Sequence, residues 1–126
     1  MSCRLNDLEV ATLAAIAGQY PEQEAGLLAQ IQAARIVRRE NSGAGFFTHL
    51  SVDRGSSKPV CLPDPIGNVW ADVDIDGSQD AMTFLVFLEE GYICMLEGAT
   101  TGGDTSGTDF NEVRFSMLPV DGLPVG

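Results

Sequence analysis

Residues Thr83–Glu97 constrain this chain more than any other stretch. They read Thr-Phe-Leu-Val-Phe-Leu-Glu-Glu-Gly-Tyr-Ile-Cys-Met-Leu-Glu, two runs of large apolar and β-branched residues split by Glu89-Glu90-Gly91. That pattern predicts a β-hairpin, with a type I turn on the glutamates and Gly91 as its left-handed residue. The simplest register pairs Leu88 with Tyr92, Val86 with Cys94 and Phe84 with Leu96. On the opposite face it pairs Phe87 with Ile93 and Leu85 with Met95. Both faces are apolar, which predicts central strands covered on both sides.

The segments before the hairpin change character midway. Asn6 is suited to cap a helix, with Glu9 three residues later as its capping-box partner. The Ala- and Leu-rich run Asp7–Ala17 follows, and Gly18 ends it. Pro21, Glu22 and Glu24 suit the first turn of a second helix. Its Leu27, Leu28 and Ile31 recur at helical spacing to about Ala34. From Arg35 onward the pattern is strand-like. Arg35–Glu40 is a short strand and Asn41–Gly45 a turn cluster. Phe46, Thr48, Leu50 and Val52 then share one face of a strand, and Phe47, His49 and Ser51 the other. Asp53–Gly67, with three prolines, is a surface excursion. Asn68–Asp76 alternates with Val69, Ala71, Val73 and Ile75 inward. Gly98–Asp109 is a Gly/Thr-rich loop, and Glu112–Leu118 alternates again.

Two helices followed by a run of strands predict an α+β fold, with the helices packed on an antiparallel sheet of about five or six strands. The expected organisation is one domain over 1–126: a helical part (1–34), the sheet (35–118) and a tail (119–126).

Composition bounds the function classes. Eighteen acids against seven Lys and Arg give a net charge of −11 at pH 7. Such a field repels nucleic-acid backbones and attracts basic partners. No apolar run reaches the ~18 residues of a membrane span, and the N-terminus lacks a signal peptide's apolar core. Three scattered cysteines, Cys3, Cys61 and Cys94, argue for a reducing cytoplasm rather than a disulfide framework.

The stretch Asp72-Val-Asp-Ile-Asp-Gly-Ser-Gln-Asp80 matches the opening of an EF-hand loop, with acids at positions 1, 3, 5 and 9 and Gly77 at position 6. The match then fails, because position 12 is Thr83 and the flanks alternate as strands. Two readings follow: a Ca²⁺ site on Asp72, Asp74, Asp76 and Asp80, or a partner surface made of the same four residues. The failed motif favours the second. A row of like charges on one strand also calls for a cation across from it, from Arg35, Arg38, Arg39 or Arg114.

No catalytic constellation emerges. His49 is the only histidine, Cys94 lies in an apolar strand as an inert core thiol, and no signature surrounds Cys61. Paired zinc-ligand spacing is absent. The Gly98–Gly107 loop has no Lys and precedes a strand, unlike a phosphate loop. No cofactor is expected, and a non-catalytic chain is favoured over an enzyme.

Arg39-Glu-Asn-Ser-Gly-Ala-Gly-Phe-Phe-Thr48 is similar to an "RE-x-TG-x-GFFT" pattern, and Phe84–Gly98 to a "GF-x-LF-x-x-DG-x-x-x-x-LEG" pattern. Together they resemble a family of small bacterial proteins of unknown function, over roughly residues 22–104. The resemblance implies a fold type and a bacterial cytoplasmic origin. After "LEG" those relatives continue with aromatic residues, whereas this chain has Ala99-Thr-Thr-Gly102. By analogy with toxin-neutralising proteins, the leading expectation is a small acidic interaction or inhibitory (immunity-like) module for a basic protein partner. The alternatives are a homodimeric structural protein, or a ligand-binding protein or enzyme with a cleft near His49, Asp72 and the Gly-rich loop.

Overall fold

The computed structural model describes residues 4–118; the tail expected at 119–126 and Cys3 lie outside them. Helices α1 (Asp7–Gly18) and α2 (Glu24–Ala33) precede strands β1 (Ala34–Asn41), β2 (Gly45–Val52), β3 (Ile66–Ile75), β4 (Ser78–Glu89), β5 (Tyr92–Thr100) and β6 (Phe115–Met117). The strands form one antiparallel sheet in the order β1-β2-β5-β4-β3-β6. This is the α+β architecture expected from the order of elements, and the 83–97 hairpin lies at its centre.

Both helices pack on one face, α1 over β3, β4 and β6, and α2 over β5 and β2. Leu8, Leu13 and Ile16 of α1 and Leu27 of α2 meet Phe84 and Leu96 at the middle of the core. The period-two reading of β3 holds: Val69, Ala71, Val73 and Ile75 are all buried. Phe46, Thr48, Leu50 and Val52 of β2 are buried as well.

The hairpin differs from its expected geometry at the turn. Glu90 and Gly91 both have positive φ (55° and 85°), so the turn is type I′ on Glu90-Gly91, and Glu89 stays in β4 opposite Tyr92. The primed turn matches the right-handed twist of its strands, which an unprimed type I turn does not. Only Gly serves at position 91: a Cβ there would sit 2.7 Å from Val60 O and from the Pro59 side chain. A bulge then inserts Cys94, so Leu88 faces Ile93, but Phe87 faces Met95 and Val86 faces Leu96. The bulge sends Ile93 into the core at 2% exposure and leaves Cys94 and Met95 half-buried.

The second correction concerns coverage. The face of the hairpin carrying Leu85, Phe87 and Met95 is only partly buried, and no helix among the described residues crosses it. Two short helices provide enough apolar surface for one side of the sheet, and both lie on the same side.

Polar side chains fix the periphery of the core. Asn6 and Glu9 form the expected capping box, each side chain accepting the other's N–H at 2.8 Å. The Glu9 carboxylate is 1% exposed and also accepts two bonds from the Arg39 guanidinium at 2.8 Å and the Thr48 hydroxyl at 2.6 Å. Gln30, fully buried, donates to Lys58 O and Gly91 O and accepts from Ile93 N–H, at 2.8–2.9 Å. It ties α2, the Pro-rich loop and the hairpin turn together. The Gly-rich loop is anchored by Thr105, whose hydroxyl donates to Asn41 Oδ1 at 2.8 Å and accepts from Gly45 N–H at 3.0 Å.

Candidate functional site

Alternation along each strand places a defined set of side chains on the uncovered face. Phe47 and His49 come from β2, Met95, Glu97 and Ala99 from β5, Thr83, Leu85 and Phe87 from β4, and Trp70, Asp72 and Asp74 from β3; all are half-buried. Cross-strand pairs order them into rows. One row runs Trp70–Thr83–Ala99, the next Leu85–Glu97–Phe47, and the next Phe87–Met95–His49–Arg38. The result is an apolar surface of Phe47, Trp70, Leu85, Phe87 and Met95, with Glu97 set among them and Asp72 and Asp74 at one side. A contiguous exposed apolar patch rimmed by polar groups marks an interaction surface more often than scattered surface apolar residues do.

The four aspartates singled out from the sequence do not form one site. Asp76 and Gly77, at φ 54° and 86°, make a two-residue type I′ turn between β3 and β4. Asp74 Oδ1 accepts the Gly77 N–H at 2.9 Å, closing that turn. Asp72 and Asp74 lie on the open face. Asp80 pairs with Val73, a core residue, so it lies on the helix-side face, next to Gly103. A tight hairpin sends alternate residues to opposite faces, whereas a Ca²⁺ loop wraps its ligands around one ion. Among the described residues, no group of three or more His, Cys, Asp or Glu side chains converges as a metal set would. Of the four arginines expected across from the acidic row, Arg114 meets it through its backbone, its carbonyl accepting Asp74 N–H at 2.8 Å, which is a ladder contact and not an ion pair. Ion pairs join other groups, among them Arg39–Glu9, Arg38–Glu40 and Arg54–Glu90.

His49 and Asp72 do not share a cleft. β5 and β4 separate their strands, about 14 Å across three strand spacings, and Asp72 pairs with Ala81 whereas His49 lies in the row of Phe87, about 20 Å further along β4. The Gly-rich loop folds onto the β1–β2 turn instead. His49 Nε2 lies 2.9 Å from Glu40 Oε1; this bond and, secondarily, the nearby Arg38 hold the Glu40 carboxyl below the usual range. Burial, aided by the fields of Glu89 and Asp64, pushes the Cys94 thiol up, so at neutral pH it is a protonated, weakly polar group rather than a nucleophile. Cys61 is exposed beside Tyr20 and Leu62. The hydrogen bonds that Arg39 donates to the Glu9 carboxylate raise its guanidinium further above its already high range.

Sequence reasoning missed Trp70, Phe47 and Glu97 as members of a surface. The available signal was parity: if Val69, Ala71, Val73 and Ile75 point inward, Trp70 points outward, and a large aromatic at an outward position is a cue for recognition. No helix among the described residues is long and apolar enough to cross a membrane. No family model, curated protein or solved structure matches the chain.

Proposed function

We propose that this chain is a non-catalytic interaction module that docks a basic protein partner on the open face of its sheet, in the manner expected of an inhibitory or immunity-like protein. One observation carries the reading: an uncovered apolar face of Phe47, Trp70, Leu85, Phe87 and Met95 bears carboxylates at Asp72, Asp74 and Glu97, on a chain of net charge −11. The apolar centre supplies area to bury, and the carboxylates select the sign of the partner. The same charge disfavours self-association through this face, since two copies would bring like charges together.

The test uses Trp70, the single tryptophan, as reporter and target. A partner captured from cell extract should shift Trp70 emission to the blue, weaken as salt rises, and be lost with Trp70→Asp. It should survive Leu28→Asp, a control at an exposed helix residue. Binding that survives Trp70→Asp, or a micromolar homodimer that Trp70→Asp dissolves, would overturn the proposal.

A further inference from the structure

One end of the open face is more than a flat patch. Beside the hairpin turn lies a groove of 590 Å³ lined by Val37, Arg38, His49, Phe87, Cys94 and Met95, with Asp64 and Glu89 at its rim. That volume lies within the range of about 300–1,000 Å³ typical of ligand pockets. Two bulges shape it. The register of β1 slips between Ile36 and Arg38, leaving Val37 as an extra residue, and that of β5 slips at Cys94. Bulges re-aim side chains and recur beside binding sites. Here one leaves Val37 63% exposed, and the other sets Cys94 next to Met95.

The two rims are electrically unlike. On the β1–β2 side, Arg38 and His49 both face Glu40, at 3.7 and 2.9 Å, so their rim is largely neutralised. On the β4 side, Asp64 uses Oδ1 to accept Leu88 N–H at 2.8 Å and keeps its second oxygen for another donor. Glu89 ends β4, exposed. Arg54 lies within the field of Glu89, but its guanidinium is bonded to Glu90 and stacked 4.6 Å over the Tyr92 ring. Both carboxylates line the groove with Cys94, where they add to burial, the larger cause, in raising the thiol.

We infer that this groove is the anchor of the docking face, taking an apolar side chain of the partner on Val37, Phe87, Cys94 and Met95 and an adjacent Lys or Arg between Asp64 and Glu89. The inference rests on the docking reading above and names the partner's chemistry: a basic segment in which a large apolar residue neighbours a cation. An apolar anchor gives the contact its area, and two carboxylates that no ion pair among the described residues engages give it sign.

The probe is a capped Leu-Arg dipeptide titrated into ¹⁵N-labelled protein, with capped Leu-Glu and Ala-Arg as controls. Leu-Arg should move the amides of Val37, Phe87, Glu89, Cys94 and Met95, and bind about twofold to fivefold more tightly than Leu-Glu, the gain that an exposed ion pair allows. Asp64→Asn with Glu89→Gln, which keeps the hydrogen-bonding shape, should bring Leu-Arg down to the level of Leu-Glu. Equal response to Leu-Arg and Leu-Glu, or no response in the groove, overturns the anchor. Shifts centred on Trp70 and Glu97 would overturn the anchor and leave the face reading standing, whereas shifts confined to the helices would count against both.

Discussion

The two faces of the sheet are built from the same strands and have opposite fates. Toward the helices, Phe84, Val86 and Leu96 are at most 1% exposed. Their immediate neighbours Leu85, Phe87 and Met95 are half-buried on the other side, although their side chains are as apolar. Burial here is decided by the supply of covering elements rather than by the hydrophobicity of the strand. A strand that is apolar on both faces can therefore be a core strand on one side and a recognition surface on the other.

Truncation should separate the faces first. Phe84→Ala opens a cavity under both helices and should cost about 3–5 kcal/mol, whereas Phe87→Ala on the open face should cost about 1 kcal/mol. Urea denaturation of the two variants reads the difference, and equal costs would mean that something covers the open face. Next in size is Arg39→Ala, which leaves the Glu9 carboxylate buried without its partner and should cost about 3 kcal/mol. The exposed carboxylate change Glu89→Gln should stay within about 0.5 kcal/mol. Comparable urea midpoints for those two variants would deny the buried pair its structural role. The smallest effect belongs to the open face itself. His49→Ala should let the Glu40 carboxyl rise toward its ordinary pKa, followed by carboxyl NMR titration. Because the folded value is depressed, the stabilisation from this contact is present above the unfolded glutamate pKa and is lost as pH falls through the lower, folded value.

Much of the fold was legible in the sequence because period-two alternation in β2 and β3 and the Asn6–Glu9 capping box are local signals. The register of the central hairpin was not, since Glu90 at positive φ is an uncommon choice for a non-glycine residue and the Cys94 bulge leaves no mark in a local pattern. The fate of Glu9 was half legible. Its place in the helix cap follows from spacing, but the guanidinium that it holds comes from a strand 30 residues later, a distance only tertiary structure spans. The acidic row misled through an overlooked turn. Reading Asp76-Gly77 as a hairpin turn would have sent Asp80 to the face opposite Asp72 and Asp74. The open face was legible in Trp70 and Phe47, at positions whose neighbours point inward.

The bulge at Val37 has a consequence for how another chain could approach. β1 forms one margin of the sheet, and a straight margin offers a row of free amides and carbonyls on which a foreign strand can template itself. The extra residue breaks the spacing of that row, and Arg35, Arg38 and Glu40 crowd it with charge, the devices by which natural sheets resist end-to-end polymerisation. Lengthening of the sheet at this margin is therefore disfavoured. A visitor is left to settle across the strands, through side chains, where its identity can be read.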